Sequence, residues 1–377
     1  MVELIRLPRY LKYTVILFAV ILIFYVLIVA RSILIPLSFG LVLSLLLHPV
    51  CTRLERLKLP RSAAVVIAII GVIILLAGII WMLTSQFSRI AADLTEIGTK
   101  FSSLSSKIQQ FLEARFGIQQ VDQSKYIQDS LETFIKSSST FFTGTLTATA
   151  SLFADLVIIL LTLFFFLYYS HFLKVFLLKL VNEKRHEELQ NILAKVSVVV
   201  QDYISGLFMV MGIVAVLNTI GLLLLGIKYA IFFGALAAFL TIIPYIGIFI
   251  GSLLPILFAL ATKDSLWYPV GVAGIFWFVQ FLEGNFITPN VIGNKVSINP
   301  FAAVMALFIG AEVWGPSGMI LFIPFLAMAK VFFDVIEPLK PFGYLLGNPY
   351  DEDKIVSFNN KANKLRWNRW VKGKNTN

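Results

Sequence analysis

Long apolar stretches fill most of the chain, and charges gather between them. An uncharged run of about 20 residues is enough to cross the hydrocarbon layer of a bilayer as a helix. Runs of this kind occupy 13–30, 32–50, 62–83, 203–227 and 265–282, and 151–169 differs only by Asp155. Two more, 229–262 and 296–329, have 34 residues each, and the second contains Glu312. The pattern predicts an all-α polytopic membrane protein with about eight transmembrane segments. The first run is longer than a signal-peptide core, and no clear small-residue cleavage site follows it, so it is expected to be a retained span.

The two 34-residue runs are too long for one straight crossing and short for two full ones plus a turn. Each carries helix breakers near its middle: Pro244, Tyr245 and Gly247 in the first, Gly315, Pro316 and Gly318 in the second. Proline removes a backbone donor and glycine weakens a helix. Broken backbone at membrane depth is tolerated where protein or a water-filled cavity satisfies it. Both runs are therefore expected to be broken or re-entrant, features that transporters use for binding. The alternative is a long, tilted, kinked helix.

Between the third and fourth runs lies a different kind of sequence. Residues 84–150 are rich in Ser and Thr and carry six basic and six acidic residues. Phe87, Ile90, Leu94, Ile97, Phe101, Leu104, Ile108 and Phe111 alternate spacings of three and four. This stripe predicts an amphipathic helix, lying on its own domain or the membrane, or pairing with another subunit.

Charge then sets orientation. Arg and Lys cluster before the first run, between the second and third, after the fourth, and in the C-terminal tail. If both termini are cytoplasmic, every cluster falls on one side. Segment 84–150 is then extracytoplasmic. The net charge of +10 reflects this bias and implies no nucleic-acid partner. The tail, with Trp367 and Trp370 among its basic residues, is expected to be a solvated tail or to touch anionic lipid.

Composition agrees: 58% of residues are hydrophobic and 14% charged, with a mean hydropathy of +0.87. An ordinary soluble domain has about 25% charged residues. One cysteine, Cys51, excludes a disulfide framework within the chain, and the three histidines match no metal-ligand spacing. No phosphate loop, zinc-protease motif or nucleophile elbow occurs, so the chain reads as a non-enzyme without cofactor or metal. Any transport is expected to run on a gradient.

The densest polar group near the membrane is Gln280, Glu283, Asn285, Thr288, Asn290, Asn294 and Asn299, threaded with Gly284, Pro289, Gly293 and Pro300. Amide side chains and freed carbonyls ligate polar solutes or cations; the same residues also make ordinary loops at a membrane edge. Glu312 lies inside an apolar run, where a carboxylate is costly and usually faces a cavity or partner. At a hairpin tip it would instead be solvated. Asn218 and Thr219 are expected to make interhelical hydrogen bonds.

The C-terminal half resembles the AI-2E family of bacterial membrane proteins. The match rests on Ile243-Pro244-Tyr245-Ile246-Gly247, on Glu283, Asn285, Pro289 and Gly293, on Pro300, and on Gly315, Gly318 and Pro324, in order over about 100 residues. Ile248 stands where the family often has Pro, and Asn299 where His commonly precedes the Pro. The resemblance implies a homo-oligomer, with a pentamer as the expected assembly, and an elevator-like moving domain. It also implies export of autoinducer-2 or sodium/proton antiport.

The reading is a secondary transporter that exports a small polar molecule across the bacterial inner membrane, coupled to a proton or sodium ion. A sodium/proton antiporter and a non-transporting oligomeric scaffold are the alternatives. The expected organisation is an N-terminal membrane unit (1–83), the external helical segment (84–150), a span with a cytoplasmic helical linker (151–205), a transport core (206–340) and a basic tail (341–377). Expected pathway residues are Pro244, Tyr245, Gly247, Gln280, Glu283, Asn285, Pro289, Asn290, Gly293, Asn299, Glu312, Gly315 and Gly318.

Overall fold

The computed structural model describes residues 8–82, 85–86, 154–242, 246–293 and 298–347. The predicted stripe at 87–111, the tail from 348 on, and the Pro244-Tyr245 pair lie outside these residues. The chain is all-α among them: α1 (Arg9–Val29), α2 (Arg31–Arg56), α3 (Arg61–Met82), α4 (Ala154–Tyr168), α5 (Ser170–Lys179), α6 (His186–Leu224), α7 (Ala230–Leu240), α8 (Ile246–Thr262), α9 (Trp267–Leu282), α10 (Pro300–Trp314), α11 (Pro316–Val335) and α12 (Lys340–Leu346). Five stretches are long and apolar enough to cross a membrane: α2, α3, α6 with the turn before it, α9 continued to Gly293, and α11. The apolar α4 and the short α5, bent from it by 64°, pass the same test only when taken together. Their outer faces are covered with exposed Ile, Leu, Phe and Val, as lipid contact requires.

Helix α6 is the organising element. It has 39 residues, about 58 Å, and starts well before the apolar run at 203–227. The boundary expected at 205/206 therefore falls inside a continuous helix. Its first half buries Val200, Tyr203 and Ile204 against α2, α10 and α11. Its second half packs Val210, Val214 and Leu222 against α7 and α9. A third cluster, with Cys51, Val65, Ala68, Leu163 and Leu167, joins α2, α3 and α4.

At three helix interruptions a side chain from a distant helix takes up the freed carbonyl. Pro49 has no N–H to give Leu45 C=O one turn earlier, and Gln201 Nε2 of α6 donates to it at 2.9 Å. The break between α1 and α2 at Ala30 leaves Leu27 C=O without its regular donor, and Trp314 Nε1 donates at 2.9 Å. The α4–α5 bend frees Leu167 C=O, which accepts from an Arg61 guanidinium nitrogen at 2.9 Å and from Ser170 Oγ at 3.0 Å. A buried unpaired carbonyl costs about 1–3 kcal/mol, with no water in a bilayer core to relieve it.

Candidate functional site

Both 34-residue runs are helical hairpins, which excludes the kinked single helix. In the first, α7 ends at Leu240 and α8 begins at Ile246. The two helices touch so closely that a Cβ on Gly247 would sit 1.7 Å from Leu240 O. Further from the tip, the Phe258 ring meets Phe233 at a tilt and Tyr229 edge-on, with centroids 5.3 and 5.7 Å apart. In the second, α10 and α11 join at Gly315, whose φ of +60° suits a residue without Cβ. A Cβ on Gly318 would meet Gly310 O at 1.8 Å. With 11 residues, α7 extends about 16 Å, well short of the roughly 30 Å hydrocarbon core.

The polar stretch after α9 is not a loop. It continues the helix as two wide π turns, Glu283–Ile287 and Pro289–Gly293. Thr288 N–H reaches back five residues to Glu283 C=O. Pro289 cannot donate to Asn285 C=O, which favours the widened turn. The Glu283 carboxylate is half-buried and accepts at both oxygens, from Gln280 Nε2 at 2.7 Å and from Thr288 Oγ1. Asn285 and Asn290 are exposed and donate to Phe281 C=O and Phe286 C=O at 2.8 and 2.7 Å. Their side-chain oxygens have no partner among the described residues. Pro289 and Gly293 are exposed on the same segment.

These interruptions converge on one stretch of α6. Gly206 receives Ile292 and Val291 of the second π turn. Ala238, near the end of α7, shares a cluster with Val210, Val214 and Val279, and Ile287 packs on it. Val313 and Trp314, at the tip of the second hairpin, lie in one cluster with Tyr203 and Ile204. The first hairpin thus runs along the C-terminal half of α6 and the second along the N-terminal half, with their turns toward Tyr203–Val210. Beside α6 and α11 a cleft of about 370 Å³ opens, lined by Val198, Val199, Ala327, Val331 and by Lys195 and Lys330. Lys330 pairs with Asp334 at 2.6 Å.

Other expected site residues are placed differently. Glu312 is exposed on α10 and pairs with no described residue, so the burial expected of an acid in an apolar run is absent in the single chain. Asn299 caps α10 by accepting from Ala302 N–H at 2.8 Å, and its Nδ2 donates to Leu345 C=O and Gly347 C=O at 2.7 and 3.0 Å. Its amide is thereby spent on holding the end of α12. Asn218 is 3% exposed and its Oδ1 has no partner among the described residues, so it does not make the expected interhelical bond. Sequence reasoning missed Gln201, Trp314 and Arg61 as caps; Pro49, four residues after Leu45, was the available signal for the first. Among the described residues no group of three His, Cys, Asp or Glu side chains could hold a metal.

Opposed hairpins and a π-widened polar helix, set in a lipid-facing bundle, define a multi-pass membrane protein built as transporters are. The chain belongs to the AI-2E transporter family, whose model matches residues 17–337. It is 27% identical over 316 residues to "Putative transport protein YrrI" of Bacillus subtilis, covering 80% of this chain and 86% of that protein. It is 23% identical over 327 residues to "Putative transport protein YhhT" of Escherichia coli K12, covering 84% and 89%. A protein of Mycobacterium tuberculosis, "Putative transport protein MT0215", is 27% identical over 357 residues, 92% of each chain.

Proposed function

We propose that this chain is a secondary transporter exporting a small polar organic molecule, of the autoinducer-2 type, across the bacterial inner membrane. The observation that carries the reading is the convergence of two hairpin turns and the π segment on Tyr203–Val210 of α6. Irregular backbone inside apolar sequence persists where it lines a cavity, and a scaffold has no use for it. In this reading α6–α11 form the body that moves, elevator-like, against α1–α5. The cleft by Lys195 and Lys330 is the approach from the cytoplasm, the side on which the Lys and Arg distribution supports placing both termini. The chain works as a homo-oligomer, with 84–150 contributing to assembly.

Sodium/proton antiport is the second reading, and one observation favours it. The Glu283 carboxylate, held by Thr288, lies on the same segment as Asn285 and Asn290, whose side-chain oxygens have no partner among the described residues, and oxygens of these kinds are ligands for a hard cation. Glu312, exposed near the second tip, is the acid placed to exchange protons. The test is flux by the purified protein in proteoliposomes under separate proton and sodium gradients. Gradient-driven export lost in Glu283→Gln with unchanged melting temperature supports the exporter. Sodium-for-proton exchange without solute supports the antiporter, and no flux of either kind leaves the scaffold.

A further inference from the structure

Apart from the hairpins, the molecule has a second polar cleft, at the α4–α5 bend. It encloses about 470 Å³ and is lined by Arg61, Ser62, Tyr168, Tyr169, His171 and Phe172. Arg61 is the first residue of α3. One terminal nitrogen of its guanidinium holds Leu167 C=O and Ser170 Oγ, while Nε is buried with no partner among the described residues. A guanidinium has five N–H donors and is always charged, so this contact leaves most of its capacity unused. Lys174 is exposed one turn beyond Ser170, and both Arg61 and Lys174 lie close enough to His48 to act on it electrostatically. Glu55 acts on His48 as well, but among the described residues no carboxylate lines the cleft.

The bend itself fixes where the cleft lies. The apolar span of α4 ends in Tyr168 and Tyr169, and α5 departs at 64°. Along α5 and at Leu180, which follows it, Phe172, Phe176, Leu177 and Leu180 are exposed together with Lys174 and Lys179, and no residue of this helix is buried. A short helix of this composition, turned away from a span, is built to lie in the headgroup layer with its lysines reaching to water. The cleft opens at this level, beside aromatic residues of the kind that anchor membrane interfaces.

We propose that this cleft binds the phosphate of an anionic phospholipid, with Arg61 and His171 on the phosphate, Lys174 drawing the negative headgroup, and Phe172 against the acyl chains. Free phosphate offers the same oxygens but lacks the chains. The test uses the full-length protein, stripped of lipid in detergent and titrated with phosphatidylglycerol or phosphatidylcholine, with bound lipid per chain read by native mass spectrometry. The wild type should retain one phosphatidylglycerol at concentrations where phosphatidylcholine is not retained. Lys174→Gln, which breaks no described contact, should weaken retention about fivefold, and Arg61→Gln at least about tenfold. Should Arg61→Gln fail to fold, Lys174→Gln and His171→Gln carry the test alone. Equal retention of both lipids, or unchanged retention in the folded variants, overturns the proposal. Displacement of the lipid by excess inorganic phosphate overturns it too, by assigning the cleft to a soluble anion.

Discussion

The second hairpin, α10–α11, turns at the single residue Gly315 and carries at its tip a tryptophan that donates to Leu27 C=O at the α1–α2 break. The first, α7–α8, is held by edge-on and tilted ring contacts of Phe258 with Tyr229 and Phe233, and among the described residues the clusters that bury it contain residues of α6 to α9 and the π segment, none from α1–α5. Among the described residues, one hairpin is thus tied to the N-terminal helices and the other packs on the C-terminal body. The difference teaches which contacts must yield if the body is to move: the second hairpin has to release Trp314 from Leu27 and α6 has to release Gln201 from Leu45, whereas the first hairpin can travel with α6 and α9 without breaking a described contact of its own.

The largest effect is expected at the glycine contact of the second hairpin. Gly318→Leu drives a side chain into the Gly310 carbonyl, and close-packed helices have no room to absorb it. The expected result is no monodisperse protein on size exclusion. A normal profile would show that the hairpin is looser than described. Next is Phe258→Ala, which empties the aromatic cluster of the first hairpin at a cost of about 3–5 kcal/mol and should lower the melting temperature sharply. A small shift there would mean that lipid or a neighbouring subunit, rather than these ring contacts, holds α7 to α8.

Trp314→Phe sharpens the contrast between the hairpins. It keeps the aromatic contacts with Phe322 and Phe325 but leaves Leu27 C=O without a donor, for about 1–3 kcal/mol. Melting should fall moderately, and flux should rise if this bond holds the body at rest. The smallest effect has the opposite sign. Asn218→Leu removes a buried oxygen that bonds nothing described and should raise stability by about 1 kcal/mol. A drop in melting temperature would reveal a partner for the amide.

The sequence showed the spans because period-independent apolar runs of that length have few other uses. It also located both breaks, because Pro and Gly at the centre of a 34-residue run conflict with helix. It did not separate hairpin from kink, since that depends on close backbone approach at Gly247 and Gly318, which no local pattern encodes. The polar stretch from Glu283 read equally as loop or site because Asn, Gly and Pro favour turns. Its π geometry comes from Pro289 combined with packing of Val291 and Ile292 on Gly206. Asn299 drew notice through chemistry and position, yet its partners lie 46 and 48 residues away at Leu345 and Gly347, beyond any local reading.

The central claim is that α6 and its hairpins move against α2 during transport. Cysteines placed at Leu45 and Gln201, where the two helices meet, test it in a Cys51→Ser background. A short reducible thiol cross-linker should join them in the purified protein, and flux in proteoliposomes is measured before and after reduction. Flux should be lost on cross-linking and return on reduction, while each single-cysteine protein is unaffected by the reagent. Full flux from quantitatively cross-linked protein would contradict the account.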